Sequence, residues 1–314
     1  MTPPTSPVLI LDAIDTAAAV DPLEVLTAVR AALIAISRDT VSAPPRIAAR
    51  APTGLLGTMP AYVPGVGLAA KLVSVFELPD AGRSTHLGLI AVFDERDGRP
   101  LAIMEAGRLT AVRTAASATA SMQALAPEAR RVAVIGAGVQ AQAQLEMLAA
   151  LPTSYDVVVG ARDLSAGRHV ASAYADVATA SIRDAVRDAD VVFCCTGATT
   201  PVIERTWLAP GTHVSSVGGS HGHEVDAATV ADADLYVEWL GAADQPPPAG
   251  SHELQGVPVD RLRLLGSVLD ADTPPDADRL TLFKSTGHAA FDVAAAAVVH
   301  RSARERGLGR SLVF

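Results

Sequence analysis

The chain has 314 residues, of which 49% are hydrophobic and 19% charged, which is enough apolar material for folded cores and excludes intrinsic disorder. Its length predicts two domains. The formal net charge is −9 and there is no basic run, so the sequence lacks the positive charge with which proteins bind nucleic acid or anionic lipid. No apolar run approaches the roughly 20 residues of a transmembrane helix.

Two features bear on the cellular compartment. The first residues, MTPPTSPVLILD, lack the cationic segment of a secretory signal. The two cysteines, Cys194 and Cys195, are adjacent in the sequence and cannot form a disulfide framework. We therefore expect a reducing, cytoplasmic environment.

The first 122 residues have the pattern of a mixed α and β region. Apolar residues recur at helical spacing from Asp21 to Ser37, after an Asp-Pro start signal. Strands are predicted at Gly54–Pro60, Leu68–Phe76, His86–Asp94 and Pro100–Glu105, with a hairpin turn at Asp94–Gly98 and a helix at Ser117–Leu125.

From Arg131 onwards, short apolar strands alternate with helices. Strands are predicted in RVAVIG, DVVVGA, DVVFCCT, THVSSVG and DLYVEW and at Leu280–Phe283, with helices at Gln140–Leu151, Ser165–Ala175, Ile182–Ala189 and Ala289–Arg306. This alternation predicts a parallel, doubly wound sheet. The segment Gly241–Ser251, rich in proline and glycine, is predicted to be a surface loop.

A glycine-rich turn follows the first of these strands. In RVAVIGAGVQA the strand ends at Ile135, and a helix opens after Gly136 and Gly138. The first glycine permits the tight turn, the second lets a pyrophosphate approach the backbone, and the helix N-terminus favours the anion. Because the motif lies between a strand and a helix, it predicts a dinucleotide site, with a tight structural turn as the alternative.

The end of the second strand bears on which dinucleotide binds. An acidic residue there binds the ribose 2′-OH of NAD, whereas an arginine accommodates the 2′-phosphate of NADP. The first charged residue here is Arg162, which favours NADP, and Asp163 follows it and leaves NAD open. Thr196 follows another strand and is expected to face the cofactor, because ligands bind outside the carboxyl ends of parallel strands.

Seven segments, in order along nearly the whole chain, give it a resemblance to the ornithine cyclodeaminase/mu-crystallin family. They are PPR (Pro44–Arg46), GTMPAY (Gly57–Tyr62), KLV (Lys71–Val73), EAGRLTAVRTAASA (Glu105–Ala118), GAGVQAQ (Gly136–Gln142), LAPGTHVSSVGGSHGHEVD (Leu208–Asp226) and FKSTGHAAFD (Phe283–Asp292). The resemblance implies an α/β fold with a Rossmann-type doubly wound NAD(P)-binding domain over residues 123–291. It also implies a discontinuous α+β substrate and dimerisation domain over residues 1–122 and 292–314, and a homodimer built through the strands of that domain.

The resemblance implies that three cations, Arg46, Lys71 and Arg113, hold the carboxylate of a substrate, and it places Met59 beside them. Arginine presents a bidentate fork to a carboxylate. A lysine among cations has a lowered pKa and can exchange a proton near neutrality. Lys71 and Lys284 are the only lysines among 25 basic residues, which favours a chemical role for Lys71 over a surface salt bridge.

The remaining cofactor residues also come from the resemblance. It implies that Thr114 contacts a cofactor phosphate, and that Val139 and Gln140 belong to the dinucleotide turn. Ser285 and Gly287 match the family segment near the nicotinamide.

One loop departs from the cyclodeaminase pattern. Those enzymes carry an aspartate where this chain has Ser220, and a serine cannot serve as a carboxylate base at neutral pH. Members that resemble mu-crystallin, which reduce ketimines, share the serine, so Ser220 favours imine reduction and is expected beside the substrate. His221 and His223 are candidate proton donors, with structural roles in the loop as the alternative, and they predict no metal site.

Together with the resemblance, these features predict an NAD(P)H-dependent reductase of α-imino acids. The resemblance implies cyclic substrates such as 1-pyrroline-2-carboxylate or 1-piperideine-2-carboxylate. Hydride is expected to reach the imine carbon, and Lys71 is the first candidate to protonate the nitrogen. Three alternatives stay open. They are an ornithine or lysine cyclodeaminase with bound NAD, an open-chain amino-acid dehydrogenase or reductive aminase, and a non-catalytic NADPH-binding protein.

Overall fold

The computed structural model of the chain describes residues 7–78, 83–218, 222–273, 276 and 278–313. The chain divides into two compact units. Unit 1 comprises the described residues of Met1–Ala35, Asp39–Arg113 and Ala289–Phe314, and unit 2 comprises those of Ile36–Arg38 and Thr114–His288.

The secondary structure alternates along the chain. The strands are β1 (Val8–Leu11), β2 (Ile47–Ala51), β3 (Gly54–Val63), β4 (Gly67–Leu78), β5 (Arg83–Phe93), β6 (Pro100–Glu105), β7 (Arg131–Ile135), β8 (Asp156–Gly160), β9 (Ala178–Ala180), β10 (Val191–Cys194), β11 (His213–Ser216), β12 (Asp234–Val237), β13 (Leu262–Leu264), β14 (Thr281–Lys284) and β15 (Arg310–Leu312). The helices are α1 (Ala13–Ala19), α2 (Pro22–Ser37), α3 (Gly107–Leu125), α4 (Val139–Ala150), α5 (Leu164–Ala171), α6 (Ile182–Val186), α7 (Ala227–Asp232), α8 (Gly241–Asp244), α9 (Leu265–Ala271) and α10 (Ala289–Arg306).

Unit 1 is built on a seven-stranded sheet in the order β15-β1-β6-β5-β4-β3-β2. The pair β1–β6 is parallel and the other pairs are antiparallel. On β3 the side chains of Met59, Ala61 and Val63 alternate with more exposed neighbours, so one face of the sheet is buried. Helix α10 packs on β3 and β4, where its many alanines allow a close approach.

Local capping signals explain where the helices of unit 1 begin. The Asp21 carboxylate accepts hydrogen bonds from the backbone N–H groups of Leu23 (2.9 Å) and Glu24 (3.0 Å), so α2 begins where the sequence predicts. Helix α3 begins ten residues before the predicted Ser117. Its start is set by Glu105, which accepts a hydrogen bond from the N–H of Gly107 (2.6 Å).

Unit 2 is built on an eight-stranded sheet in the order β13-β12-β14-β11-β10-β7-β8-β9, and its strand pairs are all parallel. Alternate residues of β7 enter two different cores. Val132 and Val134 belong to one, and Ala133 and Ile135 belong to the other. Both faces of the sheet are therefore covered, and the predicted α/β class with a doubly wound parallel sheet is confirmed.

The prediction of a surface loop over Gly241–Ser251 is wrong in part. The segment begins with the short helix α8, and Ala242 and Ala243 are buried in one of the two cores of unit 2. Small side chains inside a proline-rich segment allow it to lie against that core, and the composition alone does not reveal this. No helix among the described residues is both long and apolar enough to cross a membrane.

Candidate functional site

A buried ion cluster in unit 1 brings together two residues that the sequence singles out. Lys71 on β4 and Arg113 on α3 are each 5% exposed. Both bind Asp292, which is 1% exposed and lies in the first turn of α10. Lys71 Nζ donates to Asp292 Oδ1 (3.0 Å) and lies 2.9 Å from Oδ2, and Arg113 Nε donates to Oδ1 (3.0 Å). Three elements distant in sequence therefore converge on one carboxylate.

The surroundings of Lys71 shift its pKa. Burial lowers the pKa of Lys71 to about 8, Asp292 opposes this shift, and the positive charges of Arg113 and Arg46 add to it. For Asp292, the guanidinium of Arg113 and the ammonium of Lys71 overcome burial and hold the pKa of the carboxyl below its ordinary value. The amine of Lys71 can therefore gain or lose a proton near neutral pH.

Positive charge is in excess at this carboxylate, since both Lys71 and Arg113 bind Asp292. The charge of Arg46 also acts on Asp292. Arg113 binds Asp292 through Nε, and its two Nη groups make no hydrogen bond to a described residue. Buried cations require compensating acceptors. The arrangement can therefore bind a second carboxylate, through the fork of Arg113 and the ammonium of Lys71.

Two more predicted substrate residues lie beside the cluster. Met59 is the cross-strand partner of Lys71 in the β3–β4 register, so the two side chains point to the same buried face. Arg46 is half-buried directly before β2, and its charge acts on both Lys71 and Asp292. The structure therefore brings Arg46, Met59, Lys71 and Arg113 together.

Sequence reasoning missed the part that Asp292 takes in this cluster. The available signal was a single acidic residue within the Ala/Val-rich helix α10. A carboxylate in such a helix is buried with its neighbours and must find a partner. The sequence does not identify the partners, because Lys71 and Arg113 lie on elements distant from α10 in the chain.

The glycine-rich turn in unit 2 has the geometry of a phosphate cradle. Gly136 has φ +124°, and a Cβ there would lie 2.7 Å from the Cys195 carbonyl oxygen, so the position requires glycine. Gly138 is the N-cap of α4, no side chain caps that helix, and a Cβ at Gly138 would meet nothing within 4 Å. The free N–H groups at the start of α4 therefore fit a dinucleotide pyrophosphate.

Three other residues predicted to contact the cofactor differ in their exposure. Val139 in the first turn of α4 is 67% exposed. The buried side-chain oxygen of Gln140 has no hydrogen-bond partner among the described residues. Thr114 is buried on α3.

Two charged residues, Arg162 and Asp163, follow the end of β8 and have different surroundings. Asp163 is the N-cap of α5, where its carboxylate accepts hydrogen bonds from Ser165 N (2.8 Å) and Ala166 N (3.4 Å). Arg162 is exposed and makes no hydrogen bond or ion pair with a described residue. The acid at this site is therefore committed to the helix, whereas the guanidinium is accessible to a ligand.

Thr196 lies at the carboxyl end of β10, half-buried. Its N–H (2.7 Å) and its hydroxyl (2.6 Å) both bind the buried carboxylate of Glu224. Strand β14, which β11 separates from β10, ends at Lys284. The Lys284 ammonium is buried and donates to Ser216 Oγ (2.8 Å) and Glu253 Oε1 (3.1 Å). Lys284 is thereby bound within the protein, and Glu224 is a further residue that sequence reasoning missed.

The segment after β14 carries two predicted cofactor residues, Ser285 and Gly287. Glu238, at the end of β12, accepts hydrogen bonds from Gly287 N (2.9 Å), Thr286 N (2.7 Å) and Thr286 Oγ1 (3.0 Å). Gly287 has φ +78°, a conformation that favours glycine. A buried carboxylate therefore fixes the backbone of this segment.

The serine and histidine loop is described in part. Ser220 and His221 lie outside the described residues, whereas His223 is exposed, with its ring centroid 6.1 Å from that of His252. Within the described ranges, no group of His, Cys, Asp or Glu side chains could hold a metal ion. Cys194 and Cys195 are buried, and burial raises the pKa of both thiols, which keeps them unreactive.

Two known proteins are similar to this chain in sequence. Ketimine reductase mu-crystallin of Mus musculus is 33% identical over 256 residues, which cover 79% of this chain and 80% of that protein. Delta(1)-pyrroline-2-carboxylate reductase of Paracoccus denitrificans is 32% identical over 274 residues, covering 80% of this chain and 84% of that protein.

Two solved structures resemble the whole chain. The structure of Thermococcus litoralis Delta(1)-pyrroline-2-carboxylate reductase in complex with NADH and L-proline has a TM-score of 0.85 at 26% identity, covering 97% of this chain and 100% of that one. An archaeal alanine dehydrogenase dimer with bound NAD has a TM-score of 0.88 at 26% identity, with coverage of 98% and 100%.

A family model extends this similarity over nearly the full sequence, since it matches residues 8–307. The model is the one described as the ornithine cyclodeaminase/mu-crystallin family. The chain belongs to that family.

Proposed function

We propose that this protein is an NAD(P)H-dependent reductase of α-imino acids, with cyclic ketimines such as 1-pyrroline-2-carboxylate and 1-piperideine-2-carboxylate as its substrate class. The observation that carries the proposal is the buried cluster of Lys71, Arg113 and Asp292, in which cations outnumber the carboxylate. The named activities of the mouse and Paracoccus relatives support the same reaction.

The cluster accounts for substrate binding. The substrate carboxylate accepts hydrogen bonds from the Nη groups of Arg113, and Arg46 and Lys71 add positive charge around it. Asp292 holds Lys71 and Arg113 in place before the substrate arrives, so little side-chain ordering remains to be done on binding. Met59 borders the same face with an apolar side chain, which suits the methylene groups of a ring.

Lys71 is the proposed donor of the proton that the imine nitrogen gains during reduction. Reduction of C=N to CH–NH adds one hydride to carbon and one proton to nitrogen, and a bound reduced nicotinamide supplies the hydride. Lys71 Nζ, with its pKa of about 8, is protonated at neutral pH and donates to the nitrogen. His221 and His223 are the second candidates, and Ser220 is proposed to contact the substrate. His223 is exposed, which favours Lys71 as the donor.

For the cofactor we propose NADPH over NADH. The turn of Gly136 and Gly138 and the start of α4, with Val139 and Gln140, fit the pyrophosphate. The remaining proposed cofactor contacts are Thr114, Thr196, Ser285 and Gly287. Arg162 is accessible to a 2′-phosphate, whereas the competing acid Asp163 caps α5.

The choice of cofactor is tested by replacing Arg162. We expect Arg162→Gln to raise the Kd for NADPH about tenfold, because a charge-assisted bond to phosphate is lost, and to leave the Kd for NADH unchanged. Equal effects on both cofactors, measured by quenching of intrinsic fluorescence, would argue against a 2′-phosphate contact.

We further propose a homodimer that forms through the outer face of the unit 1 sheet. Residues that alternate with the buried face of β3, β4 and β5 include Leu56, Leu72, Leu87 and Leu89, which are half-buried or exposed, with Leu87 64% exposed. The register places Leu72 opposite Leu89, so the apolar side chains are contiguous. Such a face suits a second copy of the chain.

The remaining assignments follow from these proposals. Residues 1–122 and 292–314 are proposed as the substrate and dimerisation domain, and residues 123–291 as the NAD(P)-binding domain. A reducing, cytoplasmic location agrees with the two free, buried cysteines, Cys194 and Cys195.

The experiment that tests the proposed reaction is a comparison of substrates with the purified protein. NADPH and NADH oxidation is followed with each cyclic imine, with pyruvate plus ammonia, and beside an assay for proline formed from ornithine. We expect fast NADPH oxidation with a cyclic imine and no proline from ornithine. Proline formed without net cofactor change would instead identify a cyclodeaminase, and dependence on ammonia an open-chain dehydrogenase.

A further inference from the structure

A buried hydrogen-bond network ties the carboxyl ends of three neighbouring strands of unit 2, β10, β11 and β14. At its centre Glu224, which is fully buried, accepts four hydrogen bonds. Oε1 accepts from Thr196 N (2.7 Å) and Thr196 Oγ1 (2.6 Å). Oε2 accepts from Ser216 Oγ (2.7 Å) and Gly218 N (2.9 Å). Gly218 has no room for a side chain, because a Cβ there would overlap both Thr196 and Glu224.

The direction of each hydrogen bond follows from groups that can only donate. The ammonium of Lys284 donates to Ser216 Oγ (2.8 Å), so the Ser216 hydrogen points to Glu224. The backbone N–H of Ala198 donates to Thr196 Oγ1 (3.3 Å), so the Thr196 hydrogen also points to Glu224. The short distance of 2.6 Å between Thr196 Oγ1 and Glu224 Oε1 is typical of a hydroxyl that donates to a carboxylate.

A second carboxylate holds Glu224 itself in place. Glu253 Oε1 accepts from Glu224 N (2.7 Å) and from the ammonium of Lys284 (3.1 Å). Its other oxygen accepts from Ser251 Oγ (2.7 Å). Every member of this network is thereby engaged, and a fully satisfied buried network permits one arrangement of its hydrogens.

We propose that Glu224 is a positioning residue that fixes the Thr196 hydroxyl as a hydrogen-bond acceptor toward the nicotinamide cofactor. Thr196 is half-buried at the carboxyl end of β10, where ligands of parallel sheets bind. Its hydrogen is committed to Glu224, so the cofactor group that meets it is a donor. The donor is a ribose hydroxyl or the carboxamide N–H of the nicotinamide. This inference rests on the proposed function, since it assumes that unit 2 binds the dinucleotide.

Substitutions at two residues, Glu224 and Thr196, test the network against a matched control. Glu224→Gln keeps the shape, but its amide nitrogen faces two donors whichever way it turns. Thr196→Val removes the hydroxyl, and Thr196→Ser retains it. The control is Asp190→Asn, directly before β10 at the other end of the sheet, where Asp190 Oδ2 accepts from Arg130 N (2.7 Å) and Arg131 N (2.8 Å). The free energy of unfolding is measured for each variant beside the Kd values.

We expect Glu224→Gln and Thr196→Val to raise the Kd for NADH and NADPH about 10- to 100-fold, because a buried hydrogen bond is lost or opposed. Thr196→Ser should bind within twofold of the wild type. Asp190→Asn should lower the stability but leave the Kd within twofold. The reduced 3-acetylpyridine analogue of the cofactor, which lacks the carboxamide N–H, identifies the donor. If the effect of Thr196→Val disappears with the analogue, the donor is the carboxamide, and if it persists, the donor is a ribose hydroxyl.

Two results would overturn the inference. One is that Glu224→Gln and Thr196→Val bind both cofactors as the wild type does. The other is that Asp190→Asn weakens cofactor binding as much as Glu224→Gln, because the network would then act through stability alone. A wild-type protein that binds neither NADH nor NADPH is a different result, and it contradicts the proposed function itself.

Discussion

At the scale of single residues, one carboxylate, Asp292, orients two cations, Lys71 and Arg113. Lys71 and Arg113 were recognisable in the sequence because their motifs resemble those of a known family. Asp292 was not assigned a role, since its partners are 221 and 179 residues away and only the fold brings them together. Sequence reasoning therefore identified the cations and missed the group that orients them.

Replacing this carboxylate should affect both activity and stability. Asp292→Asn removes the negative charge between Lys71 and Arg113, so we expect kcat/KM for imine reduction to fall at least about 100-fold, because both groups lose their orientation. Breaking a buried ion pair should also cost about 3–5 kcal/mol of stability. Because Asp292 raises the pKa of Lys71, the pH at which the residual activity is lost should move down.

The matched control for Asp292→Asn is Glu24→Gln, which removes the exposed ion pair between Glu24 on α2 and Arg301 on α10, the helix that also carries Asp292. We expect little change in activity or in the free energy of unfolding, because surface ion pairs contribute little. Similar losses in the two variants would mean that the protein is equally sensitive to the loss of any ion pair with α10, and that Asp292 has no special part.

The pKa of Lys71 sets a pH dependence with a definite sign. The amine donates a proton during reduction only when it is protonated, so kcat/KM should fall as the pH rises through about 8. In the reverse direction, oxidation of the substrate amine, Lys71 must be neutral to accept a proton. The rate of oxidation should therefore rise as the pH rises through about 8. Lys71→Arg stays protonated, so its residual activity should lack this limb. A wild-type profile that is flat through pH 8 would contradict the assignment of Lys71.

At the scale of elements, the strand-turn-helix of the dinucleotide motif was fully readable, because the glycines, the buried strand and the helix start are contiguous in the sequence. Elements that depend on distant pairing were not. Strand β1 pairs with β6 and β15, and its four apolar residues fit a buried strand and a buried helix segment equally. Helix α3 begins earlier than predicted, because Glu105 acts as its cap.

Two glycines of one turn should respond differently to alanine. Gly138→Ala should leave the free energy of unfolding nearly unchanged, since the added Cβ meets nothing within 4 Å, but it should raise the Kd of the cofactor at least about tenfold, by occupying the space for the pyrophosphate. Gly136→Ala should destabilise the fold, because φ is +124° and the Cβ would lie 2.7 Å from a carbonyl oxygen. Thermal unfolding and cofactor titration of both variants distinguish these effects. Unimpaired cofactor binding by Gly138→Ala would place the phosphates elsewhere.

At the scale of the whole molecule, the α/β class and the parallel sheet followed from the alternation of strands and helices. The dimer was expected from family resemblance alone. The structure adds the exposed leucines of the unit 1 sheet. The sequence shows that residues alternate along these strands, but it does not show which face of the sheet is buried.

The proposed dimer is tested by a charge on that face. Leu89→Glu, opposite Leu72, should convert a dimer to a monomer in light scattering, because the carboxylate would be buried unpaired in the interface. Ile14→Glu serves as the control, since Ile14 on α1 is 79% exposed and lies outside the sheet. A Leu89→Glu protein that stays dimeric would exclude this face as the interface.

In the proposed reaction, hydride passes from a reduced nicotinamide to the imine carbon of a substrate whose carboxylate binds to Arg113 and Lys71. The most direct measurement is the fate of deuterium when 1-pyrroline-2-carboxylate is reduced with NADPH that carries deuterium at the transferred position of nicotinamide C4. We expect proline with one deuterium on the carbon that bears the carboxylate, formed by the wild type and strongly diminished in Lys71→Met. Proline without deuterium, or equal labelling by Lys71→Met, would contradict the account.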